Sequence, residues 1–243
     1  MLFNKSKSGN NRNGLNYLKS IKYWHRPIGG LNEVISCMKK KSVKDPTLLD
    51  KRYIELYAGS LLAMALQKSE DREFWIAKPE NDPPDFVFMT MVFDNKNRVQ
   101  FHSREVEITR YRSEEVPLLE RILKKDKFYP KDYILVCFVE VPGYLESLKE
   151  IARKLKEKLV HIEHVFLVFH GFIIDELKNI STEEILRKVS VVQLLPQYSY
   201  QTIDIKEEMT TGSKDKKRLA YVEGVEVYYG LRKGDVNFPM IIK

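Results

Sequence analysis

The chain is poor in cysteine. Cys37 and Cys137, the two thiols among 243 residues, make neither a disulfide framework nor a four-thiolate zinc site. Such cysteine usage predicts a reducing cytoplasm as the compartment. The chain also lacks an apolar run of about 18 residues or more, which excludes a transmembrane helix. Residues 1–21 hold no apolar stretch of the kind a secretory signal needs. No self-similarity recurs with a period of about 20–50 residues, which excludes a solenoid or propeller. Neither a G-x-x-x-x-G-K-[ST] phosphate loop nor a G-x-S-x-G elbow occurs, and Gly29-Gly30 belongs to no such loop.

Acidic residues are absent from the first 22 positions, where Lys5, Lys7, Arg12, Lys19 and Lys22 stand. The formal charge of the whole chain is +7, so these five bases leave only +2 for residues 23–243. The excess is therefore a basic N-terminal arm on a nearly neutral body. The arm opens as MLFNKSKSGNNRNG, a composition that predicts mobility to about Gly14. It suits a phosphate backbone as partner, or a plain solubilising tail. Apolar residues make up 43%, enough to fill a core and to exclude global disorder. We read residues 23–243 as a single α/β domain.

Residues 31–40 fit a short helix ending in a basic run, broken at Asp45-Pro46. Residues 48–67 (LLDKRYIELYAGSLLAMALQ) place apolar side chains at the helical period with few polar positions, which predicts a largely buried helix. The segment KPENDPPDF marks a turn or extended entry. FVFMTMVF (86–93), turn residues at 94–97 and VQFHSREVEIT (99–109) read as a hairpin. A helix over 114–125, an apolar strand over 133–139, an amphipathic helix over 143–159 and a second apolar strand over 165–169 follow. Strand, helix and strand in that order predict a parallel pair. Ser181 to Glu184 has the form of a capping box. A strand over 189–195, a charged loop over 206–218 and a last strand over 222–229 after a turn at Gly224 complete the reading. The sum is a central mixed sheet flanked by helices.

Four carboxylates stand out. Asp85 opens the hairpin, Glu105 and Glu107 share one face of its second strand because the strand period is two, and Glu55 lies on the mainly apolar preceding helix. Two carboxylates about 5 Å apart repel by roughly 3 kcal/mol at an effective dielectric near 20. Three such pairs would cost on the order of 10 kcal/mol, comparable with the stability of a domain. A convergent cluster therefore needs a proton, solvent or a hard divalent cation, and Mg²⁺ takes oxygen ligands. Taken one by one, Asp85 also reads as a turn residue, Glu105 and Glu107 as a solvated strand face, and Glu55 as the partner of Lys51 or Arg52.

Pro84-Asp85, then 21 residues, then Glu107-Ile108-Thr109 resembles the PD-(D/E)XK nuclease motif. The order of a helix bearing Glu55, hairpin, helix and strand, over about residues 48–170, resembles the restriction-endonuclease-like core. DPPDF followed by EIT also resembles a pattern recurrent in prokaryotic proteins. The resemblance implies a Mg²⁺- or Mn²⁺-dependent endonuclease acting on nucleic acid, DNA first, with Glu55, Asp85 and Glu107 as metal ligands. It also brings a homodimer and a defence or mobile-element setting into view. The motif lysine, however, is Thr109. Glu105-Val106-Glu107 forms an E-x-E variant in which Glu105 becomes a metal ligand and Glu107 stands in the lysine's place. Arg104 or Arg110 could swing in instead. Otherwise the fold binds nucleic acid or a protein without hydrolysis.

The remaining candidates read as ordinary surface. His161 and His164 lack a third zinc ligand. Residues 214–218 (KDKKR) form a charge run. Tyr198, Tyr200, Tyr228 and Tyr229 suit base stacking or strand packing alike.

Overall fold

The computed structural model describes residues 24–79, 84–93, 99–112, 116–129, 133–140, 148–171, 187–211, 219–223, 226–229 and 240–241. The N-terminal arm, the hairpin turn, the capping box and the KDKKR run lie outside these residues. None of the described helices is long and apolar enough to cross a membrane.

The chain enters through β1 (Trp24–His25) and α1 (Pro27–Lys41). Pro27 in the first turn suits a helix start, and Lys39, Lys40 and Lys41 in the last turn complement the helix dipole. Ser42, in the left-handed region with φ 54°, ends it. A short 3-10 turn, Pro46–Leu48, is capped by Asp45, whose carboxylate accepts from the Thr47 amide at 2.8 Å. The expected buried helix is α2 (Lys51–Glu70). Every residue from Ile54 to Leu66 is buried. Covering a Leu side chain stabilises by about 1.5–3 kcal/mol, and Leu61 and Leu62 both expose 0%.

The next element corrects the sequence reading. Phe74–Ala77 (FWIA) forms β2, buried throughout and paired antiparallel with the following strand. Four residues are too few to show a period of two. β3 (Phe86–Phe93) and β4 (Val99–Tyr111) form the expected hairpin. α3 (Leu118–Asp126) starts later than expected, with Pro117 at its N-cap, because a proline bars the residue before it from helical geometry. β5 (Ile134–Val139), α4 (Leu148–Lys158) and β6 (His164–His170) complete the crossovers.

β7 (Lys188–Leu195) and β8 (Ser199–Asp204) make a second hairpin. Part of the expected charged loop is instead α5 (Ile205–Thr211), started by Asp204, which accepts from the Lys206 and Glu207 amides. The expected last strand is two strands, β9 (Leu219–Glu223) and β10 (Glu226–Tyr229), joined by β11 (Met240–Ile241). β9 pairs with β1, so the end of the chain extends the sheet beside its beginning.

All described strands join one mixed sheet in the order β11-β10-β9-β1-β2-β3-β4-β5-β6-β7-β8. β4, β5 and β6 are parallel, and the other neighbours are antiparallel. Successive crossovers of the same hand, moving the same way across a sheet, put their helices on one face. α3 and α4 accordingly share a core with Leu135, Cys137, Val165 and Leu167. α1 and α2 share the opposite core with Phe86, Val106, Ile108, Val136 and Val168.

Candidate active site

The hairpin register pairs Phe86 with Val106 and Val87 with Glu105. The ladder ends there, and Asp85 lies in the bend just before the first paired residue. Asp85 exposes 2% of its surface, and its Oδ2 accepts a 2.8 Å hydrogen bond from the Ile108 amide. The side chain thus holds the end of the hairpin onto the neighbouring strand, a structural task that comes with its position.

Val106 and Ile108 belong to the α2 core. Strand alternation then sends Glu105, Glu107 and Thr109 to the face that α3 and α4 cover. Glu107 is buried there. The Tyr129 hydroxyl donates to its Oε1 at 2.5 Å, and the Lys125 ammonium lies 3.6 Å from the same oxygen. Its Oε2 is buried with no hydrogen-bond donor on it among the described residues. Burial holds the Tyr133 phenol above its ordinary range, helped by a hydrogen bond to Glu105 and by the charges of Glu105 and Glu107. The Tyr129 and Tyr133 rings lie 5.3 Å apart. Lys125 sits 5.5 Å from the Tyr129 ring centre, close enough for a cation–π contact.

Glu105 and Glu107 thus share one face of β4, beside Tyr129, Tyr133 and one ammonium. Thr109 lies on the same strand face but exposes only 4%. Its hydroxyl carries no charge, so it cannot replace a lysine electrostatically.

Glu55 stands apart from Glu105 and Glu107. It belongs to α2, on the other side of the sheet, where it exposes 2%. Lys51 and Lys78 lie 3.1 and 3.2 Å from its two oxygens. Of the two contacts, the one from Lys78 has hydrogen-bond geometry. Of the four carboxylates expected to converge, Glu105 and Glu107 share a strand face, Asp85 is bound to the Ile108 amide, and Glu55 has the Lys51 partner that the sequence suggested. Arg110 does not turn toward Glu107. It pairs with Glu140, which Arg112 also meets.

Among the described residues no three His, Cys, Asp or Glu side chains are grouped so as to hold a metal ion by themselves. A hard cation such as Mg²⁺ is ordinarily held by one or two carboxylates, with water and substrate phosphate completing the shell. The buried Oε2 of Glu107, without a donor among the described residues, fits that smaller requirement.

Lys125, Tyr129 and Tyr133 carry no motif signal. Lys125 and Tyr129 reach Glu107 because α3 folds back over the sheet, and Tyr133 meets Glu105 beside the start of β5. One of the two histidines departs from the expected surface placement. His164 is buried at the start of β6, while the half-exposed His161 lies 3.4 Å from Asp126. No protein-family model, no curated protein and no solved structure matches the chain.

Proposed function

We propose that the chain is a metal-dependent nuclease of the PD-(D/E)XK type, hydrolysing phosphodiester bonds in nucleic acid, DNA first. The observation that carries this reading is Asp85 at the foot of the hairpin, bound to the Ile108 amide next to Glu107, with a buried Glu107 oxygen that no donor among the described residues reaches. The order α2, β2, β3, β4, α3, β5, with β5 parallel to β4, supports a restriction-endonuclease-like core. Asp85 and Glu107 would hold Mg²⁺ or Mn²⁺, with Glu105 at the rim. The ion supplies a bound water of lowered pKa and neutralises charge growing on the phosphate. Tyr129 orients Glu107 through its hydrogen bond. Lys125 is the ammonium nearest that carboxylate, and in this reading it takes the position left open by Thr109. Glu55 has no part in the metal shell and anchors α2 through Lys51 and Lys78. The defence or mobile-element setting and the homodimer rest on the family resemblance.

The test is calorimetric titration with Mg²⁺ and Mn²⁺ on wild type, Asp85→Ala and Glu55→Gln, with plasmid nicking on the same preparations. Binding and nicking that vanish in Asp85→Ala but persist in Glu55→Gln are the expected result. Equal loss in both variants would return Glu55 to the site. Wild type that neither binds the ions nor nicks would end the reading.

One observation favours a second reading, a relative that binds nucleic acid without cutting it. Lys125 already sits against Glu107, where it can neutralise that carboxylate without a metal. This reading expects Asp85→Ala to bind nucleic acid as wild type does.

A further inference from the structure

We propose that the joint where α3 and α4 end is a track for single-stranded nucleic acid, with exposed lysines for the phosphates and Phe128 as the platform for an unpaired base. This names the form of substrate at the site above and rests on that reading.

The joint is made by Asp126, the last residue of α3. Its carboxylate accepts from the amides of Val160, His161 and Ile162 at 3.1, 2.9 and 2.9 Å. Those residues follow α4, so the two helix ends are tied together. Lys124 and Lys127 come to the joint from one side, Lys156 and Lys158 from the other, all exposed. None of the four forms an ion pair among the described residues. Asp126 holds the backbone, and Glu157 pairs with Arg153.

Lysines in a last helical turn complement the helix dipole whatever else they do. That role leaves unexplained the apolar residues set among them, Phe128 at 71% and Val160 at 68% exposure. An exposed aromatic ring beside unpaired lysines matches a chain of phosphates carrying planar bases. A duplex hides the faces of its bases, so the ring favours a single strand. A lipid surface fits less well. The apolar faces of both helices, including Leu118, Ile122, Ile151 and Leu155, are already buried against the sheet, and a membrane-lying helix needs such a face free. The track also has a destination. Lys125 and Tyr129, which hold Glu107, alternate in sequence with Lys124, Lys127 and Phe128.

The experiment is fluorescence anisotropy of the full chain with a labelled oligothymidine, a duplex of equal length and phosphatidylserine vesicles, in a chelator and across a salt series. The single strand should bind tighter than the duplex. Phe128→Leu should weaken single-strand binding about tenfold, and Phe128→Trp should keep it. The double variant Lys124→Ala, Lys127→Ala should make the salt dependence shallower by about 1.4 in log–log slope. Wild-type affinity in Phe128→Leu, an equal loss on duplex, or binding to vesicles but not to the oligonucleotide would overturn the track. The chelator keeps this result separate from metal-dependent cleavage. Binding without cleavage would leave the track and remove the nuclease reading, whereas cleavage with a silent Phe128 would do the reverse.

Discussion

The hydroxyl of Tyr129 lies 2.5 Å from Oε1 of Glu107, joining the segment just after α3 to β4. This bond fixes one oxygen of the carboxylate while the other is left buried and without a donor among the described residues.

Tyr129→Phe removes the donor and leaves the carboxylate under-bonded. Leaving a buried polar group unsatisfied costs about 1–3 kcal/mol. Urea unfolding should show a lower midpoint with an unchanged slope. A midpoint equal to wild type would mean that the bond contributes nothing net.

Asp126 should make stability depend on pH. Burial alone would raise its pKa. The backbone amides of Ile162, Val160 and His161, with the His161 side chain, outweigh that and hold it below the ordinary 3.8. A carboxylate depressed in this way contributes stability above its unfolded value. The contribution disappears as pH falls through the folded value. Asp126→Ala should cost about 2–3 kcal/mol near neutrality. The gap to wild type should narrow below about pH 4, since unpaired Asp titrates near 3.9. Chemical unfolding at several pH values reads this directly, and a gap independent of pH would refute it.

Gly29 and Gly30 are neighbours in α1 with opposite expected outcomes. A Cβ on Gly29 would meet nothing within 4 Å, so Gly29→Ala should stabilise by up to about 1 kcal/mol through helix propensity. A Cβ on Gly30 would collide with Ser60 Oγ and lie 2.9 Å from Ile76 Cδ1. Gly30→Ala should therefore lower the melting temperature despite the same gain in propensity. The pair measures how closely α1 and α2 approach, and two stabilised variants would contradict the packing.

Cys137 exposes 0% at the centre of β5. Burial pushes its thiol up to about 12, against the opposing pull of Arg121 and Lys125. Only a thiolate reacts readily, so native protein should leave Cys137 unlabelled by a disulfide reagent, and denatured protein should label it at once. Fast labelling of Cys137 in the native state, read by mass spectrometry, would show that β5 opens.

Much of the framework was legible in the chain itself. The helical period of residues 48–67 is enough for α2, and the apolar runs at 133–139 and 165–169 are enough for a parallel pair. The alternation around Val106 and Ile108 tells which residues share a face. β2 escaped because four buried residues show no period, and α5 because a charged composition reads as loop until a cap such as Asp204 is seen to start it. The extent of α3 turned on a single residue, Pro117.

The site divides in the same way. Asp85, Glu105, Glu107 and Glu55 stand out as residue types at a spacing, and local pattern can reveal no more than that. Both faces of the central strands are apolar, so nothing local says which helix covers which face. Tertiary structure put Glu55 with Lys51 and Lys78 on one side, and Glu107 with Tyr129 and Lys125 on the other. Lys125 is 18 positions from Glu107 along the chain, and only the packing of a crossover helix onto the sheet brings the ammonium to the carboxylate. The order of the elements and the sharing of strand faces belong to the sequence. Which charges meet was decided by the fold, because contacts between distant residues depend on the side of the sheet to which each connection returns.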